Sequence, residues 1–410
     1  MSQSPPRILF LCIRMPYPPV DGGSIAMWNM VQGFARAGWE VSVLAVNTPK
    51  AYVALSSLPD TARSAASWSA ITMETRPNPF DALGNLLFSR KSYHVTRFWH
   101  RTYEEALKEL LASQDFDVVQ IETAIMGVYA PTVRKHKPKA LIALRAHNIE
   151  HEIWERRMAN ERNPLKAYYL DVTARRLKTF ELGLLTGGNV DVLVPITQRD
   201  ADQFKKLGWT GKTQVCSSGV VVKPAVTQSP PEPLSVFFLG ALDWEPNLEG
   251  VWWFLKEVWP GVKSQSPDAK FYLAGRNMPQ SLARYRAPGV EVVGEVPDAQ
   301  VFMEGKGVMI APVFSGSGMR VKLAEAMAVG KPIVATKLAA EGLAVKHGQH
   351  LMMADSPELF RDHLLSLLSR PDIAAFLGEE ARKWVATHLS NDTLVGKLAD
   401  YYLTSRGTWV

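Results

Sequence analysis

The chain has 410 residues, of which 47% are hydrophobic and 21% are charged, a size and composition that fit a folded protein with two domains. No apolar run approaches the roughly 20 residues that cross a bilayer, and the two distant cysteines indicate neither a metal site nor a disulfide framework. The net charge of +6 allows anionic ligands or a membrane surface, and no basic stripe with the context of a nucleic-acid module is visible. We therefore expect a cytoplasmic protein that does not bind nucleic acid.

The first predicted elements form a strand–helix–strand unit. Residues 7–11 and 40–46 read as apolar strands on either side of a helix over residues 25–37. Two strands joined in this way belong to a parallel sheet. Gly22 and Gly23 stand just before the helix, where backbone N–H groups could face a phosphate or an acceptor. The alternative is a tight turn.

Residues 89–103 mix cations with aromatic side chains. The cations are Arg90, Lys91, Arg97 and Arg101, and the aromatic residues are Tyr93, Phe98, Trp99 and Tyr103. Such a mixture can settle on an anionic lipid surface or on a lipid-linked acceptor. The alternative is a solvated helix face, on which arginines cover apolar surface with their aliphatic stems.

A histidine follows the next pair of predicted strands, residues 117–121 and 141–144. In open α/β sheets, ligand contacts gather just past the carboxyl ends of the strands, which is where His147 stands. The alternative is a structural histidine that caps a helix starting near Glu150.

The second half of the chain repeats the alternation of strands and helices. Residues 224–233 hold four prolines without periodicity and predict a linker. Strands are then predicted at residues 234–239, 270–274, 290–293 and 308–312, with helices between them. Asn247 reads as the N-cap of the first of these helices. A second α/β domain is therefore expected.

The segment from Ala311 to Leu343 has the pattern of an anion site. A loop of small residues, 315–318, leads into Arg320, Lys322 and a predicted helix. Unpaired N–H groups at a helix start favour a phosphate, and the two cations add full charges. Glu325 lies about one turn along the same face, where its carboxylate could accept hydrogen bonds from a ribose. The alternative is an ordinary loop and helix with a surface Lys–Glu pair.

The run GSGMRVKLAEAMAVGKPIVAT, followed by AAEGL, resembles the donor-binding motif of glycosyltransferase family 4, the retaining enzymes with the GT-B fold. In that family two glutamates separated by seven residues flank the nucleotide-sugar. The second corresponds to Glu325, and Ser317 stands in the place of the first. The resemblance implies that Glu325 holds the ribose and that Arg320 and Lys322 act at the diphosphate. The implied donor loop consists of Gly316, Ser317, Gly318 and Met319.

The resemblance covers nearly the whole chain and implies an α/β protein with two Rossmann-like domains that face each other across a cleft. The implied parts are an acceptor domain (1–223), a linker (224–233), a donor domain (234–385) and a C-terminal helix (386–410) that crosses back to the first domain.

The resemblance also assigns roles outside the motif. His147 is implied to contact the donor sugar as a catalytic residue, and Gly22 and Gly23 to line the donor site. Arg276 either lines the nucleobase pocket or is a plain surface residue, and the loop 243–247 is implied to contact the diphosphate or the base as the alternative to an N-cap at Asn247. Arg320, Lys322 and the helix N-terminus can stabilise the leaving diphosphate without a metal. We therefore expect no metal and no cofactor besides the donor substrate.

The expected function is transfer of a sugar from a nucleotide-diphosphate donor to a glycan, lipid-linked or small-molecule acceptor. Retention of configuration and a place in surface polysaccharide or glycoconjugate biosynthesis are implied by the family. An anionic membrane at the inner face is a further expected partner. Two alternatives stay open: a non-catalytic sugar-nucleotide-binding partner of another transferase, motivated by Ser317, and a GT-B epimerase that acts on the nucleotide-sugar itself.

Overall fold

The structure is a computed structural model that describes residues 4–20, 22–159, 161, 163–217, 219–220, 229–315, 320–341 and 343–406. The chain divides into two compact units. The first consists of Met1–Gly219 together with Leu394–Val410, and the second of Val220–Thr393.

The strands of the described residues are short and mostly buried. In chain order they are β1 (Arg7–Cys12), β2 (Glu40–Asn47), β3 (Ser67–Thr72), β4 (Val118–Glu122), β5 (Leu141–Ala146), β6 (Val192–Pro195), β7 (Lys212–Thr213), β8 (Ser235–Leu239), β9 (Lys270–Ala274), β10 (Val290–Gly294), β11 (Val308–Ala311), β12 (Ile333–Ala335) and β13 (Met352–Met353).

Helices connect the strands and follow the last of them. They are α1 (Gly22–Arg36), α2 (Asp60–Arg63), α3 (Pro79–Phe88), α4 (Tyr93–Thr96), α5 (Arg101–Ser113), α6 (Ala130–His136), α7 (Glu150–Ala159), α8 (Pro164–Thr186), α9 (Gln198–Lys206), α10 (Glu245–Trp253), α11 (Trp259–Gln265), α12 (Gln280–Ala283), α13 (Ala299–Glu304), α14 (Val321–Ala328), α15 (Lys337–Ala340), α16 (Pro357–Ser369), α17 (Pro371–His388) and α18 (Asn391–Arg406). Phe254–Val258 form a π-helical stretch between α10 and α11. None of the helices in the described part of the chain combines the length and apolar character that a membrane span needs.

The two sheets have the same strand order. The first runs β3-β2-β1-β4-β5-β6-β7 and the second β10-β9-β8-β11-β12-β13, and the paired strands in both are parallel. In each sheet the order reverses beside the unit's first strand, between β1 and β4 and between β8 and β11. Such a reversal opens a crevice at the carboxyl ends of the strands, where open α/β sheets bind ligands.

The helix near the end of the chain belongs to the core of the first unit. Val395, Leu398 and Tyr402 of α18 are fully buried, and the ring of Tyr402 stacks on Phe34 with centroids 5.9 Å apart. A Cβ at Gly33 of α1 would come within 2.5 Å of the Val395 side chain, so only glycine allows α1 to approach α18 so closely. The first unit is therefore completed by residues from both ends of the sequence.

Most predicted elements occur, but several predicted boundaries differ from the structure, most of them by one residue. Helix α1 begins at Gly22 rather than at residue 25. Strand β5 continues to Ala146, because Arg145 and Ala146 pair with Val194 and Pro195 of β6. Arg145 consequently lies inside a fully buried strand.

The predicted N-cap at Asn247 is wrong, and the predicted linker is described only in part. Asn247 is not the N-cap of α10: the helix begins at Glu245, and the Asn247 side chain donates to the carbonyl of Ala241 over 2.8 Å. Residues 224–228 of the predicted linker lie outside the described residues. Within residues 229–233, the Glu232 carboxylate forms a 2.6 Å ion pair with the Lys306 ammonium.

Candidate functional site

A pocket of about 460 Å³ opens at the strand reversal of the second sheet. The carboxyl ends of β8 and β11 and the first turns of α10 and α14 surround it. Its lining residues are Phe238, Leu239, Gly240, Ala241, Trp244, Asn247, Gly275, Arg276, Glu295, Val296, Ala299, Met309, Ile310, Ala311, Val313, Arg320, Val321, Lys322 and Leu323. A pocket of this size, mainly apolar with a few converging polar groups, has the character of a small-molecule site.

Two helix N-termini converge on this pocket. Trp244 precedes the first residue of α10 and Arg320 precedes that of α14, and both side chains line the pocket. The first N–H groups of a helix have no intrahelical acceptor and carry partial positive charge. The backbone alone thus makes this pocket suitable for an anion.

Arg320 is held over an aromatic ring at the pocket wall. Its guanidinium carbon lies 5.1 Å from the centre of the Trp244 ring, and its Nη2 donates to the carbonyl of Ser315 over 3.3 Å. Burial lowers the pKa of Arg320, and the carboxylate of Glu341 acts in the opposite direction. A guanidinium that is partly removed from water and fixed on a ring needs little reordering to bind a phosphate.

Lys322 and Glu325 form an ion pair one turn apart on α14. The Lys322 Nζ lies 2.6 Å from the Glu325 Oε2, and the two side chains are 43% and 31% exposed. Because solvent reaches both groups, their mutual attraction is weak, and either can turn to a ligand at modest cost.

Two glycines allow the pocket walls to come together. A Cβ at Gly275 would lie 1.9 Å from the carbonyl oxygen of Gly240, and one at Gly250 would lie 1.5 Å from that of Pro312. Any larger residue would therefore separate β8 from β9, or α10 from the chain after β11.

The structure brings some of the predicted donor residues together and leaves others outside its description. Arg320 and Lys322 line the pocket, and Arg276 lines it as an exposed residue after β9. Glu325 lies on α14 in contact with Lys322. The predicted contacts Gly316, Ser317, Gly318 and Met319 lie outside the described residues.

The sequence did not single out Glu295 as a pocket residue, and it indicated Trp244 only as part of the loop 243–247. Trp244 follows the carboxyl end of β8, and an aromatic residue in that position was a usable signal. Glu295 follows Gly294, the last residue of β10, and only the parallel pairing of β10 with β9 brings it to the pocket. Sequence spacing alone could not show that pairing.

A second polar cluster lies at the carboxyl ends of strands in the first unit. Glu122 ends β4 and is the cross-strand neighbour of Arg145 in β5. The Glu122 Oε2 lies 2.6 Å from the His147 Nε2 and 3.3 Å from the Arg145 Nη1. The Glu122 and Arg145 side chains are fully buried, and that of His147 is 10% exposed. The predicted catalytic histidine is thus attached to a buried ion pair that the sequence did not reveal.

Further hydrogen bonds extend this cluster to α18. Gln120 donates to Glu122 over 2.6 Å and accepts from the Tyr402 hydroxyl over 2.7 Å. Burial raises the pKa of Glu122, but Arg145 and the hydrogen bonds from His147 and Gln120 outweigh it, so the pKa of this carboxyl lies below its usual range. Glu122 is therefore a buried carboxylate with several fixed partners.

Gly22 and Gly23 are the first two residues of α1, which begins after the carboxyl end of β1. A Cβ at Gly22 would meet no atom within 4 Å. Open space at a helix start is compatible with the predicted ligand contact, and the role of both glycines stays a prediction.

The interpretation of residues 89–103 as a lipid-facing segment is wrong for two of its four aromatic residues. Phe98 and Tyr103 are buried, and the Tyr103 hydroxyl donates to the carbonyl of Leu44 over 2.8 Å. Arg101 pairs with Glu105 on the same helix at 2.7 Å. Half of the aromatic rings in this segment are thus unavailable to a lipid, and contact with a membrane stays a prediction.

Within the described residues, no group of three His, Cys, Asp or Glu side chains is placed to hold a metal ion. Metal independence stays a prediction, as does the absence of a cofactor.

The match to a known protein family falls within the second unit of the chain. Residues 233–370 match the family model described as "Glycosyl transferases group 1". The 44.6 kDa protein in the cps region of Klebsiella pneumoniae is 24% identical over 274 residues, which cover 63% of this chain and 67% of that protein. The phosphatidyl-myo-inositol mannosyltransferase of Mycobacterium leprae (strain TN) is 33% identical over 142 residues, or 33% of this chain and 37% of that protein.

Solved structures match over almost the whole chain. The crystal structure of Anabaena Alr3699/HepE in complex with UDP has a TM-score of 0.62 at 14% identity and covers 97% of this chain and 100% of that one. Such matches confirm the predicted fold class: the chain is an α/β protein with the GT-B fold.

Proposed function

We propose that this protein is a glycosyltransferase that binds a nucleotide-diphosphate sugar in the pocket of its second unit and transfers the sugar to an acceptor. The main support is the convergence of two helix N-termini, Arg320 and Lys322 on one pocket at the strand reversal. That pocket lies within the residues that match the group 1 glycosyltransferases. A protein of the same fold was solved in complex with UDP, which supports a nucleotide ligand.

The charges of the pocket suggest how the donor binds. The diphosphate would meet Arg320, Lys322 and the N–H groups at the starts of α10 and α14. Glu325, one turn into α14, would accept hydrogen bonds from the ribose, and Arg276 would lie towards the base. Bond cleavage places negative charge on the departing diphosphate, and fixed donors and cations stabilise that charge as it develops. We propose that these groups suffice without a metal and that configuration is retained.

The acceptor is proposed to be a glycan or a lipid-linked molecule of surface polysaccharide or glycoconjugate biosynthesis. One relative is named for a cps region, and another is a phosphatidyl-myo-inositol mannosyltransferase. Both names support this class of acceptor. We further propose that His147, fixed by Glu122 at 2.6 Å, contacts the transferred sugar.

Removing either pocket cation tests the donor site. We expect Arg320→Ala and Lys322→Ala each to weaken nucleoside-diphosphate binding about 10- to 100-fold, because a hydrogen bond to a charged group contributes roughly 1.5–3 kcal/mol. Titration calorimetry with UDP, GDP and ADP measures this. Lys337→Ala, which removes a 77% exposed cation of the same unit outside the pocket, is the matched control. Unchanged affinity in both pocket variants would overturn the proposed site.

Donor consumption separates the transferase from its alternatives. A transferase consumes the nucleotide-sugar in proportion to added acceptor, whereas an epimerase converts it without acceptor. A binding partner leaves the donor unchanged. This outcome is included because Ser317 stands where the family has its first glutamate. The assay is run with and without a chelator, and loss of turnover on chelation would contradict metal independence.

A further inference from the structure

Helix α3 turns an apolar face towards solvent. None of its ten residues is buried, and four large apolar side chains are strongly exposed: Phe80 (84%), Leu83 (54%), Leu87 (65%) and Phe88 (90%). Their spacing of three, four and one residues places them along one side of the helix. An amphipathic helix of a folded domain usually turns this side towards the core, so α3 is inverted relative to that rule.

The inverted orientation is fixed by polar contacts on the rest of the helix. The Asn78 side chain caps α3 by accepting from the N–H of Phe80 over 2.9 Å. Arg176 of α8 donates to the carbonyls of Asn85 and Leu86 over 3.1 and 2.9 Å. The Asn78 N–H donates to the Tyr93 hydroxyl. The fold therefore holds α3 in place by hydrogen bonds and presents its apolar side outwards.

Cations border the apolar face. Arg90 and Lys91 come just after Ser89, the C-cap of α3, and both are exposed. Asp81 is the acidic residue of the helix. Apolar side chains bordered by cations match a lipid surface with anionic headgroups, where the chains enter the acyl boundary and the cations meet phosphates.

We propose that α3, together with Arg90 and Lys91, is a membrane-docking surface that inserts into an anionic lipid leaflet. Charge complementarity favours this partner over a second copy of the chain, since a two-fold dimer through the same face would bring like cations together. Phe80 and Phe88, the most exposed of the four, stand about 12 Å apart along the helix axis and would enter the leaflet side by side. The proposal concerns a surface of the first unit and stands whether or not the chain transfers a sugar.

Vesicle binding by the full chain tests the proposal. We expect co-sedimentation with phosphatidylcholine vesicles that contain phosphatidylglycerol, at low salt, and release as salt rises. Phe80→Ser with Phe88→Ser should lower the partition coefficient about tenfold or more, since the inserted apolar area is lost. Arg90→Gln with Lys91→Gln should lower it on the order of tenfold at low salt.

Matched controls keep the outcome specific. Phe376→Ser removes a 54% exposed phenylalanine of the second unit, and Lys205→Gln with Lys206→Gln neutralises two adjacent exposed lysines on α9. Both should bind like the parent, and circular dichroism should show all variants folded. Absence of binding to anionic vesicles would overturn the proposal, as would binding that the α3 variants leave unchanged. Concentration-dependent dimerisation that the α3 variants abolish, without vesicle binding, would identify a second copy as the partner instead.

Discussion

Each unit of the chain has a carboxylate with a partner at the same distance, and the two carboxylates differ in how far solvent reaches them. In the first unit, Glu122 lies 2.6 Å from His147 and has Arg145 as a second partner, with both ionic side chains fully buried. In the second unit, Glu325 lies 2.6 Å from Lys322, with side chains 31% and 43% exposed. Both clusters follow the carboxyl ends of parallel strands beside a strand reversal.

The difference shows that burial, rather than contact length, decides what an ion pair can do. A buried pair is costly to break, because removing one partner leaves the other without compensation in a medium of low polarity. A half-exposed pair is screened by water and exchanges partners at little cost. We infer that the cluster in the first unit fixes the orientation of His147, and that the pair in the second unit is available to a ligand.

Neutralising the two carboxylates one at a time is the most direct test of this comparison. We expect Glu122→Gln to lower the free energy of unfolding of the first unit by about 3–5 kcal/mol, because Arg145 stays buried with its charge uncompensated. Glu325→Gln should change the stability of the second unit by at most about 1 kcal/mol. Scanning calorimetry can resolve transitions of separate units and is the suitable measurement for a chain of two units. Similar losses in both variants would contradict the comparison.

Glu150 sharpens the comparison, since it is a buried carboxyl whose neighbouring charge is another carboxylate. Burial and the charge of Glu181 raise the pKa of Glu150 to about 7. This value exceeds the pKa of about 4.3 for a glutamate in an unfolded chain, so the folded state binds more protons between the two values. The contribution of Glu150 to stability is therefore present at low pH and is lost as the pH rises through 7.

Replacing this carboxyl should remove that pH dependence. We expect Glu150→Gln to raise the free energy of unfolding by about 3 kcal/mol at pH 8 and to change it little at pH 4. The reason is that the pKa of this carboxyl is about 7 in the folded chain and about 4.3 in the unfolded chain. Thermal melts at both pH values measure this. Glu109→Gln, on the exposed side of α5, is the control and should show no such difference. An equal shift of Tm at both pH values would exclude the titration of Glu150 as the cause.

His147 joins the buried cluster to the proposed chemistry. We expect His147→Ala to lower kcat by about 100-fold or more, with nucleoside-diphosphate affinity within a few-fold of the parent, the pattern of an interaction made chiefly in the transition state. Turnover is measured well below the melting temperature, since the variant also removes a partner of Glu122. Full turnover in this variant, or a joint loss of nucleotide binding and folding, would make His147 structural.

The alternation of strands and helices was predictable because buried parallel strands are continuous apolar runs. Strand β9 has the predicted bounds, since it is an apolar segment bordered by polar or turn residues. The start of α10 was not predictable from capping preference, because Asn247 uses its amide to hold the loop carbonyl of Ala241. Local propensity did not reveal that competing hydrogen bond.

The pocket cations were predictable because Arg320 and Lys322 stand two positions apart in one motif. Glu122 and Arg145 were not, because they are cross-strand neighbours from segments 23 residues apart, and only the register of β4 on β5 brings them together. The exposed face of α3 escaped prediction for a related reason. Its periodicity shows that one side is apolar, but not that Arg176 holds that side towards solvent.

Tyr402 carries the smallest expected effect and tests how far the buried cluster extends. Burial raises the pKa of Tyr402 well above its usual value, so the hydroxyl stays protonated and donates to Gln120, which in turn donates to Glu122. We expect Tyr402→Phe to lower the free energy of unfolding of the first unit by about 1 kcal/mol, the usual net contribution of one hydrogen bond. Tyr168→Phe, on an exposed tyrosine of α8, should leave it unchanged. Nucleotide affinity should not move in either variant.

A double-mutant cycle then decides whether Tyr402 and Glu122 belong to one network. If Gln120 couples the Tyr402 hydroxyl to the Glu122 carboxylate, Tyr402→Phe should lower the free energy of unfolding less in the Glu122→Gln background than in the parent. The expected coupling is at least about 0.5 kcal/mol. Coupling arises because the amide of Gln120 can satisfy its two neighbours only in one orientation, and a neutral partner at position 122 relaxes that requirement. Strict additivity of the two changes would show that Tyr402 stabilises α18 alone. The buried cluster would then end at Gln120, and the position of His147 would depend only on Glu122 and Arg145.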